Sequence, residues 1–222
     1  MSFTVVEAPQ RSAEWFAARV GRLTASRAND MLAINAKREP LAGRKNLKAQ
    51  LVLERLTGKP QESGFVSNAM LQGIEREADA LALYEGLTGR LLTATGFLRH
   101  DTLMVGCSLD GHVGNFEGLV EAKCPQPATH LEYLQSGVVP MAYRRQIVHC
   151  LWMTGAQWCD WLSFNPDFPD TLQVKLVRVE RNDAEIKDYA AKVDAFLAEV
   201  ETEVAALRTQ FNLSEVLSEA VA

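Results

Sequence analysis

Three residues, Asp110, Glu121 and Lys123, bring two carboxylates and an amine into one short stretch of the chain. Glu121 and Lys123 are two residues apart, so a strand places both side chains on the same face of a sheet. Ala122 points the other way and offers only its backbone carbonyl. Two carboxylates and an amine that meet at one point can form a metal-dependent phosphodiesterase centre.

The segment between these residues predicts how they come together. Residues 112–118 are rich in turn formers, so the apolar runs ending at Leu109 and starting at Leu119 are predicted to be neighbouring antiparallel strands. This pairing places Asp110 alongside Glu121. Two ionised carboxylates about 4 Å apart repel by about 4 kcal/mol at an effective dielectric of about 20, so they need a proton, a cation or water between them. Oxygen ligands without a nearby Cys or His pair favour Mg²⁺, with Mn²⁺ as a substitute. A solvated hairpin edge with an ion pair has the same pattern.

The wider sequence predicts an α/β fold. Ser12 can cap a first helix, and Asn182 or Asp183 can cap a long last one. Helices are predicted at 13–20, from Thr24 or Ser26 to 34, and at 46–56, 68–87, 129–135, 141–153 and 183–207. Residues 36–45 are predicted to be turn-like, Gly58 lies just beyond the third helix, and residues 59–64 are predicted to be a loop. Strands are predicted at 90–98, 103–109, 119–124, 157–164 and 172–179.

Length and composition indicate one domain spanning residues 1–222. The 222 residues are 47% hydrophobic, enough for one substantial core. Without an apolar signal core or membrane span, we expect a soluble protein inside the cell. The four cysteines show no metal-ligand spacing and are expected to be reduced and mostly buried.

Charge is unevenly distributed along the chain. Residues 1–60 contain eleven Lys or Arg and five Asp or Glu, a net +6, whereas residues 61–222 carry a net −11. The predicted basic, helical amino-terminal part is compatible with one DNA-facing surface on an acidic body, although solvated helix faces alone give the same division. Residues 209–222 are expected to form a mobile tail.

Four motifs occur in a characteristic order. They are Trp15–Ser26 (WFAARVGRLTAS), Gly73–Ala78 (GIEREA), the stretch from Gly106 to Pro125, and Tyr143–Gly155 (YRRQIVHCLWMTG). Together they closely resemble the lambda-exonuclease or YqaJ-type viral recombinase family, alkaline exonucleases of the PD-(D/E)XK nuclease superfamily. The likeness extends from about Trp15 to Arg181.

The resemblance implies a PD-(D/E)XK core, a central mixed β-sheet with helices on both faces. It also implies a Mg²⁺-dependent, processive exonuclease with two metal ions per active site. Such enzymes degrade one strand of duplex DNA from its 5′ end, release 5′-mononucleotides and leave a 3′ single-stranded overhang. The resemblance further implies a toroidal homotrimer. It would work beside a single-strand annealing recombinase in phage-type recombination, in the cytoplasm of a bacterial host.

The resemblance also assigns roles around the carboxylates. Asp110 and Glu121 resemble the family's metal-binding residues, and the Ala122 carbonyl resembles a further ligand. Lys123 resembles the amine that orients or activates the attacking water. Glu77, on the preceding helix, resembles an additional acidic residue near the second metal.

Other positions resemble residues that hold the DNA end and support the centre. Arg19, Ser26 and Ser108 resemble a pocket for a terminal 5′-phosphate, to which a guanidinium offers forked donors. Gln146 matches the first glutamine of the family's Gln-x-Gln motif. Val148 replaces the second, so that polar contact is either missing or supplied by His149.

Aromatic residues and His149 are expected to be structural. His149 lies on an apolar helix and is interpreted as a hydrogen-bonded core histidine. The run of Trp152, Trp158, Trp161 and Phe164 is predicted to be mostly core rather than a base-stacking surface.

Two other functions fit part of the pattern. A PD-(D/E)XK endonuclease shares the same centre but opens circular duplex. A non-catalytic DNA-binding module needs no such centre, and the intact set of Asp110, Glu121 and Lys123 argues against it.

Overall fold

The computed structural model describes residues 2–61 and 68–213, which contain strands and helices in an α/β arrangement. The strands are β1 (Phe3–Val6), β2 (Leu23–Thr24), β3 (Phe97–His100), β4 (Val105–Ser108), β5 (Gly111–Val113), β6 (Gly118–Lys123), β7 (Trp158–Phe164) and β8 (Val174–Glu180). The α-helices are α1 (Ala13–Arg19), α2 (Ala28–Met31), α3 (Ala42–Thr57), α4 (Asn68–Thr88), α5 (Pro127–Ser136), α6 (Met141–Thr154) and α7 (Asp183–Phe211).

The strands form two mixed sheets of four strands each. The first has the order β1-β3-β4-β2, and the second has the order β5-β6-β7-β8. In the second sheet β6 is parallel to β7 and antiparallel to β5. Helix α4 contacts this sheet on one side, where Tyr84 lies against Val120, while α5 and α6 cover the other side around Trp161. Helices therefore cover both faces, as predicted, but the expected single sheet is divided at the bend between β4 and β5.

The predicted hairpin differs from the observed one. Strand β4 pairs with β2 and β3, not with β6. The partner of β6 is β5, of which His112 and Val113 were predicted to belong to the turn. The turn is shorter because His112 and Val113 hydrogen-bond in register with Leu119 and Gly118. Asp110 therefore lies at the junction of the two sheets, just before the hairpin.

The amino-terminal part is less helical than predicted. It supplies β1, which pairs antiparallel with β3, and β2, which pairs parallel with β4. The strand predicted at 90–98 begins only at Phe97, because only residues 97–100, which form β3, pair with β1. Helix α3 starts at Ala42, inside a segment predicted to be a turn. The segment expected to form a helix as far as residue 34 is a 3₁₀ turn followed by the short α2.

Several predicted helix ends are confirmed. The Ser12 hydroxyl accepts the Trp15 amide as an N-cap, and the Asn182 side chain accepts two amides at the start of α7. Gly58 ends α3 in the left-handed conformation. Helix α7 continues to Phe211, beyond its predicted end at 207. Residues 62–64 of a predicted loop and 214–222 of the predicted tail lie outside the described residues.

The core contains the aromatic residues that the sequence assigned to it. Trp152, Trp161 and Phe164 are buried, and burial of each such side chain contributes about 2 kcal/mol or more. Trp158 is only half-buried. His149 is fully buried and its Nδ1 lies 2.7 Å from the Tyr189 hydroxyl, so its interpretation as a core histidine is confirmed.

Three of the four cysteines are buried, namely Cys107, Cys150 and Cys159, and Cys124 is half-buried. All four are free thiols. In the described part of the chain, no helix combines the length and apolarity needed to cross a membrane.

Candidate active site

Strand β6 presents Glu121 and Lys123 on one face, as the strand period predicts. The Lys123 ammonium donates to Glu121 Oε1, and Gln146 Nε2 on α6 donates to the same oxygen at 2.6 Å. Glu121 is 3% exposed. Its carboxylate is therefore held from two sides, by the amine on its own strand and by an amide on the covering helix.

Asp110 reaches the same place from the junction before the hairpin. Its Oδ2 accepts the Ala122 backbone amide at 2.8 Å. The expected proximity of Asp110 to β6 is thus observed, although the strand pairing that produces it is not the predicted one. The Ala122 backbone lies between the side chains of Glu121 and Lys123 and is in direct contact with Asp110.

Glu77 on α4 completes a group of three acidic side chains. Burial, together with the Asp110 charge, raises the pKa of Glu77 to about 7, against the lowering effects of Lys123 and Arg11. Burial also raises the pKa of Glu121 to about 7, with Lys123 opposing the shift and Asp110 adding to it. The pKa of Asp110 is raised mainly by burial. Three carboxyl groups thus interact with Lys123 and, at Glu77, with Arg11, so the acidic groups outnumber the cations.

Lys123 stays protonated in these surroundings. Burial disfavours its ammonium form, but the carboxylates of Glu121 and Asp110 outweigh burial and raise its pKa. The Tyr143 ring on α6 lies 5.4 Å from the amine. In the sequence Tyr143 is only part of a motif, and its position three residues before Gln146 on a helix was the available signal.

The proposed end pocket lies beside this group. Parallel pairing aligns Leu23 with Val105 and Thr24 with Gly106. Ser26 and Ser108 each follow two residues after the second pair, so the register brings them to the same end of the sheet.

Arg19 is held over aromatic rings at that end. Its guanidinium lies 3.9 Å from the centre of the Trp15 ring and 5.7 Å from that of Phe97. The Trp15 indole N–H donates to the Ser108 hydroxyl at 3.0 Å. A side chain at Gly106 would lie 2.2 Å from the Phe97 ring, so glycine is needed for this packing. The structure thus brings Arg19 and Ser108 together through Trp15.

The second position of the predicted glutamine motif contributes no polar group. Val148 is 4% exposed and belongs to the main core. His149 bonds to Tyr189 on α7 rather than to the acidic group, and burial lowers the pKa of its ring to about 3. Of the two explanations that the sequence left open, the missing contact is the one that agrees with the geometry.

The donor set fits a hard divalent cation. Within residues 2–61 and 68–213, no three His, Cys, Asp or Glu side chains are close enough to hold a metal by themselves. Asp110 Oδ2 accepts a backbone amide and Glu121 Oε1 accepts the Lys123 ammonium, so a protein donor occupies one oxygen of each carboxylate. The donors are nonetheless oxygens with excess negative charge, which suits Mg²⁺ rather than Zn²⁺.

Among known protein families, the sequence model of the YqaJ-like viral recombinase domain matches residues 14–157 of this chain. No match occurs among curated proteins.

Solved structures match most of the chain. The alkaline exonuclease LHK-Exo from Laribacter hongkongensis is 40% identical, with a TM-score of 0.82, covering 90% of this chain and 98% of that one. The structure of LHK-Exo in complex with dAMP gives the same TM-score at 39% identity and the same coverage. A phage related exonuclease from Haemophilus somnus 129PT is 14% identical with a TM-score of 0.65, covering 84% of this chain and 96% of that one, and shares the fold.

Proposed function

Because the chain belongs to the YqaJ-like viral recombinase family, we propose that it is a 5′-to-3′ exonuclease of linear duplex DNA. It is a nuclease that acts on DNA, as its relatives indicate. We propose further that it releases 5′-mononucleotides and leaves a 3′ single-stranded overhang. The complex of LHK-Exo with dAMP, a nucleoside monophosphate, supports this choice of product.

The observation that carries the proposal is the meeting of Asp110, Glu121 and Lys123 at one point. Asp110 bonds to the backbone between the other two residues, and Lys123 contacts Glu121 directly. An ion pair at a solvated hairpin edge would be exposed, whereas Glu121 is almost completely buried. Three acidic groups around one amine at a buried position favour a catalytic centre over an edge ion pair.

Asp110, Glu121, the Ala122 carbonyl and Glu77 are the residues that would hold Mg²⁺, with two ions per site and Mn²⁺ as a substitute. Bound there, the metal would lower the pKa of water and stabilise negative charge on the reacting phosphate. Burial chiefly, and the Asp110 charge in addition, raise the pKa values of Glu77 and Glu121; a bound divalent cation would stabilise their charged forms, which supports the assignment.

Lys123 positions the attacking water by donating a hydrogen bond. Its raised pKa keeps the amine protonated, so it acts as a donor rather than as a proton acceptor. Gln146 keeps Glu121 in place from α6. Water adds to phosphorus, the bond from phosphorus to the 3′-oxygen breaks, and the departing oxygen takes up a proton.

Arg19, Ser26 and Ser108 form the pocket for the terminal 5′-phosphate. The guanidinium supplies charge and forked donors, and the hydroxyls supply further donors. Each cut leaves a new 5′-phosphate on the shortened strand, and the pocket can bind it in turn. Binding of each new 5′-phosphate supports processive digestion that begins at the end of the strand.

Assembly and setting are further parts of the proposal. We propose a homotrimer that acts beside a single-strand annealing recombinase in the cytoplasm of a bacterial host, as part of phage-type recombination. Membership of a viral recombinase family supports the recombination setting. The trimer, the annealing partner and the cytoplasmic location are what the resemblance of the sequence motifs implies. The mass of the particle by light scattering tests the trimer independently of activity.

A time course on linear DNA tests the function. One 5′ end is chemically blocked, and nucleotide release is followed with Mg²⁺ and with a chelator. We expect release of mononucleotides from the open 5′ end only, and only with the metal. A covalently closed plasmid serves as the control, since its cleavage would indicate the rival endonuclease. Absence of nucleotide release under every condition would contradict the proposal and leave a non-catalytic DNA-binding module.

A further inference from the structure

Aromatic side chains lie beside the acidic group on the side of the sheet that α5 and α6 cover. Parallel pairing of β6 with β7 aligns Trp161 with Glu121, so both side chains lie on the same face. Trp161 is fully buried, and the half-buried ring of Tyr143 on α6 lies 6.1 Å from it, with the ring planes 28° apart. Ring packing from β7 therefore holds Tyr143 next to the strand that carries Glu121.

The Tyr143 ring also contacts Lys123. The Lys123 nitrogen lies 5.4 Å from the ring centre, within the distance at which an ammonium is attracted to the face of an aromatic ring. The same ammonium donates to Glu121 Oε1, and Gln146, about one turn further along α6, donates to that oxygen. Helix α6 thus contacts both members of the ion pair, the amine through a ring and the carboxylate through an amide.

An aromatic ring suits an ammonium that must also donate to water. A lysine side chain has a flexible four-carbon stem and three N–H donors, so one ion pair alone leaves its orientation loosely defined. A second hydrogen-bonded carboxylate would fix the amine but would take another donor. The face of a ring attracts the charge and competes only weakly for the N–H groups. The contact with Tyr143 therefore restricts Lys123 and leaves a donor for the water molecule.

We propose that Tyr143 is a positioning residue for the nuclease reaction. Its ring holds the Lys123 ammonium in the orientation from which the amine donates to the attacking water. The inference rests on the nuclease function and on the role of Lys123 proposed above. In this role Tyr143 makes no contact with the reacting atoms, so its whole effect on the rate passes through Lys123.

Two substitutions separate the ring of Tyr143 from the rest of the side chain. Tyr143→Phe keeps the aromatic face and removes the hydroxyl, whereas Tyr143→Leu keeps an apolar side chain without a ring. We expect Tyr143→Phe to stay within about twofold of wild-type kcat and Tyr143→Leu to lose about tenfold, with KM for 5′-phosphorylated duplex nearly unchanged. A Tyr143→Phe variant as slow as Tyr143→Leu, or a loss confined to KM, would overturn the inference.

The decisive measurement repeats Tyr143→Leu in the Lys123→Ala protein. Without the ammonium the ring has no cation to hold, so single-turnover rates of Lys123→Ala and of the double variant should agree within about twofold. A further loss of about tenfold in the double variant would show that Tyr143 acts independently of Lys123, contrary to the proposal.

Tyr133→Leu is the matched control. Tyr133 on α5 is also half-buried and packs against Trp161, with ring centres 5.2 Å apart, and its ring centre lies 6.4 Å from that of Tyr143. Its loss should lower Tm about as much as Tyr143→Leu does, yet leave kcat within about threefold of wild type. Equal losses of kcat in the two Leu variants would trace the effect to ring packing and reject the positioning role.

A shape-preserving replacement covers the case in which Tyr143→Leu does not fold. Pentafluorophenylalanine at position 143 keeps the shape of the ring, while fluorine withdraws negative charge from its face. A kcat equal to that of Tyr143→Phe would overturn the inference, and a lower kcat would support it. A wild-type protein that releases no nucleotides from linear DNA would count against the nuclease function instead.

Discussion

Two buried carboxylates on neighbouring strands have opposite surroundings. Asp160 on β7 is 2% exposed and accepts two bonds from Arg178, at 2.7 and 2.8 Å, and one from the Tyr84 hydroxyl at 2.8 Å. Glu121 on β6 is as deeply buried, but Lys123 interacts with Asp110 and Glu77 as well as with Glu121. The alignment of Val120 with Asp160 puts the two carboxylates on opposite faces of the sheet.

The difference lies in the balance of charge. At Asp160 one carboxylate meets one forked guanidinium, so its buried oxygens are satisfied. Around Glu121 three acidic groups interact with the Lys123 ammonium and, at Glu77, with Arg11, so the acidic groups outnumber the cations. A matched buried carboxylate stabilises the fold, whereas an unmatched group is suited to bind a cation or substrate.

The largest expected effect comes from breaking the matched pair. Arg178→Ala leaves Asp160 buried without its cation and should cost about 3 kcal/mol or more in the free energy of unfolding, with kcat unchanged. It also removes the guanidinium that stacks 3.8 Å from the Trp158 ring. Urea unfolding measures the loss.

Asp160→Asn is the paired control. It leaves a guanidinium that is 33% exposed and can be hydrated, so the loss should be smaller, about 1–2 kcal/mol. A greater loss for Asp160→Asn than for Arg178→Ala would contradict the account of Asp160 as a matched buried charge.

Removal of the Lys123 ammonium on the other face should reverse this pattern, with a large loss of activity and a small loss of stability. Lys123→Ala should lose about 3 kcal/mol of transition-state stabilisation, roughly a hundredfold in kcat, because one preorganised donor is missing. Duplex binding should survive, since phosphate contacts elsewhere dominate affinity. Single-turnover rates and a binding titration measure the two separately. Near-wild-type turnover would remove Lys123 from the mechanism.

The end pocket allows a finer test. Digestion should be faster on 5′-phosphorylated than on 5′-hydroxyl ends, and Arg19→Ala should erase most of that preference. The lost charged hydrogen bonds correspond to about 2 kcal/mol, or roughly thirtyfold. Initial rates on the two substrates give the ratio directly. Equal rates on both ends in the unmodified enzyme would show that the pocket does not read the terminal phosphate.

The smallest expected effect is a dependence of stability on pH. The pKa values of Glu77 and Glu121 are raised from 4.5 to about 7, so the folded protein binds protons that the unfolded chain has released. Their contribution is present below about pH 4.5 and is lost as the pH rises through about 7. We expect the Tm of the metal-free protein to fall over this range, and to fall less in Glu77→Gln.

Added Mg²⁺ sharpens this test. It should raise Tm more at about pH 8 than at about pH 6, because deprotonated carboxylates bind the cation. Parallel pH profiles for wild type and Glu77→Gln, together with equal effects of Mg²⁺ at both pH values, would argue against a shared cation site.

Local patterns in the sequence predicted much of the site but not all of the pairing around it. The spacing of Glu121 and Lys123 was enough to place them on one face, and Ser12 and Gly58 were enough to place helix ends. The pairing of β2 with β4 joins two residues to two others about eighty positions away, and no local pattern specifies it. Strand β1 was missed for the same reason.

Tyr143 lies near the acidic group only because of tertiary packing. In the sequence it is an ordinary helix residue, and its position beside Lys123 becomes visible only in three dimensions. The same limit applied to Asp160, whose matched partner Arg178 lies on the next strand.

A single buried residue, Leu109, separates Ser108 from Asp110, so their α-carbons are at most about 7 Å apart. This span is comparable to the separation of successive phosphates along one nucleic-acid strand. With the terminal phosphate at Ser108 and the next phosphate at Asp110, the distance between these two residues would correspond to one nucleotide. The size of each released fragment would then be set by covalent geometry and stay constant whatever base is removed.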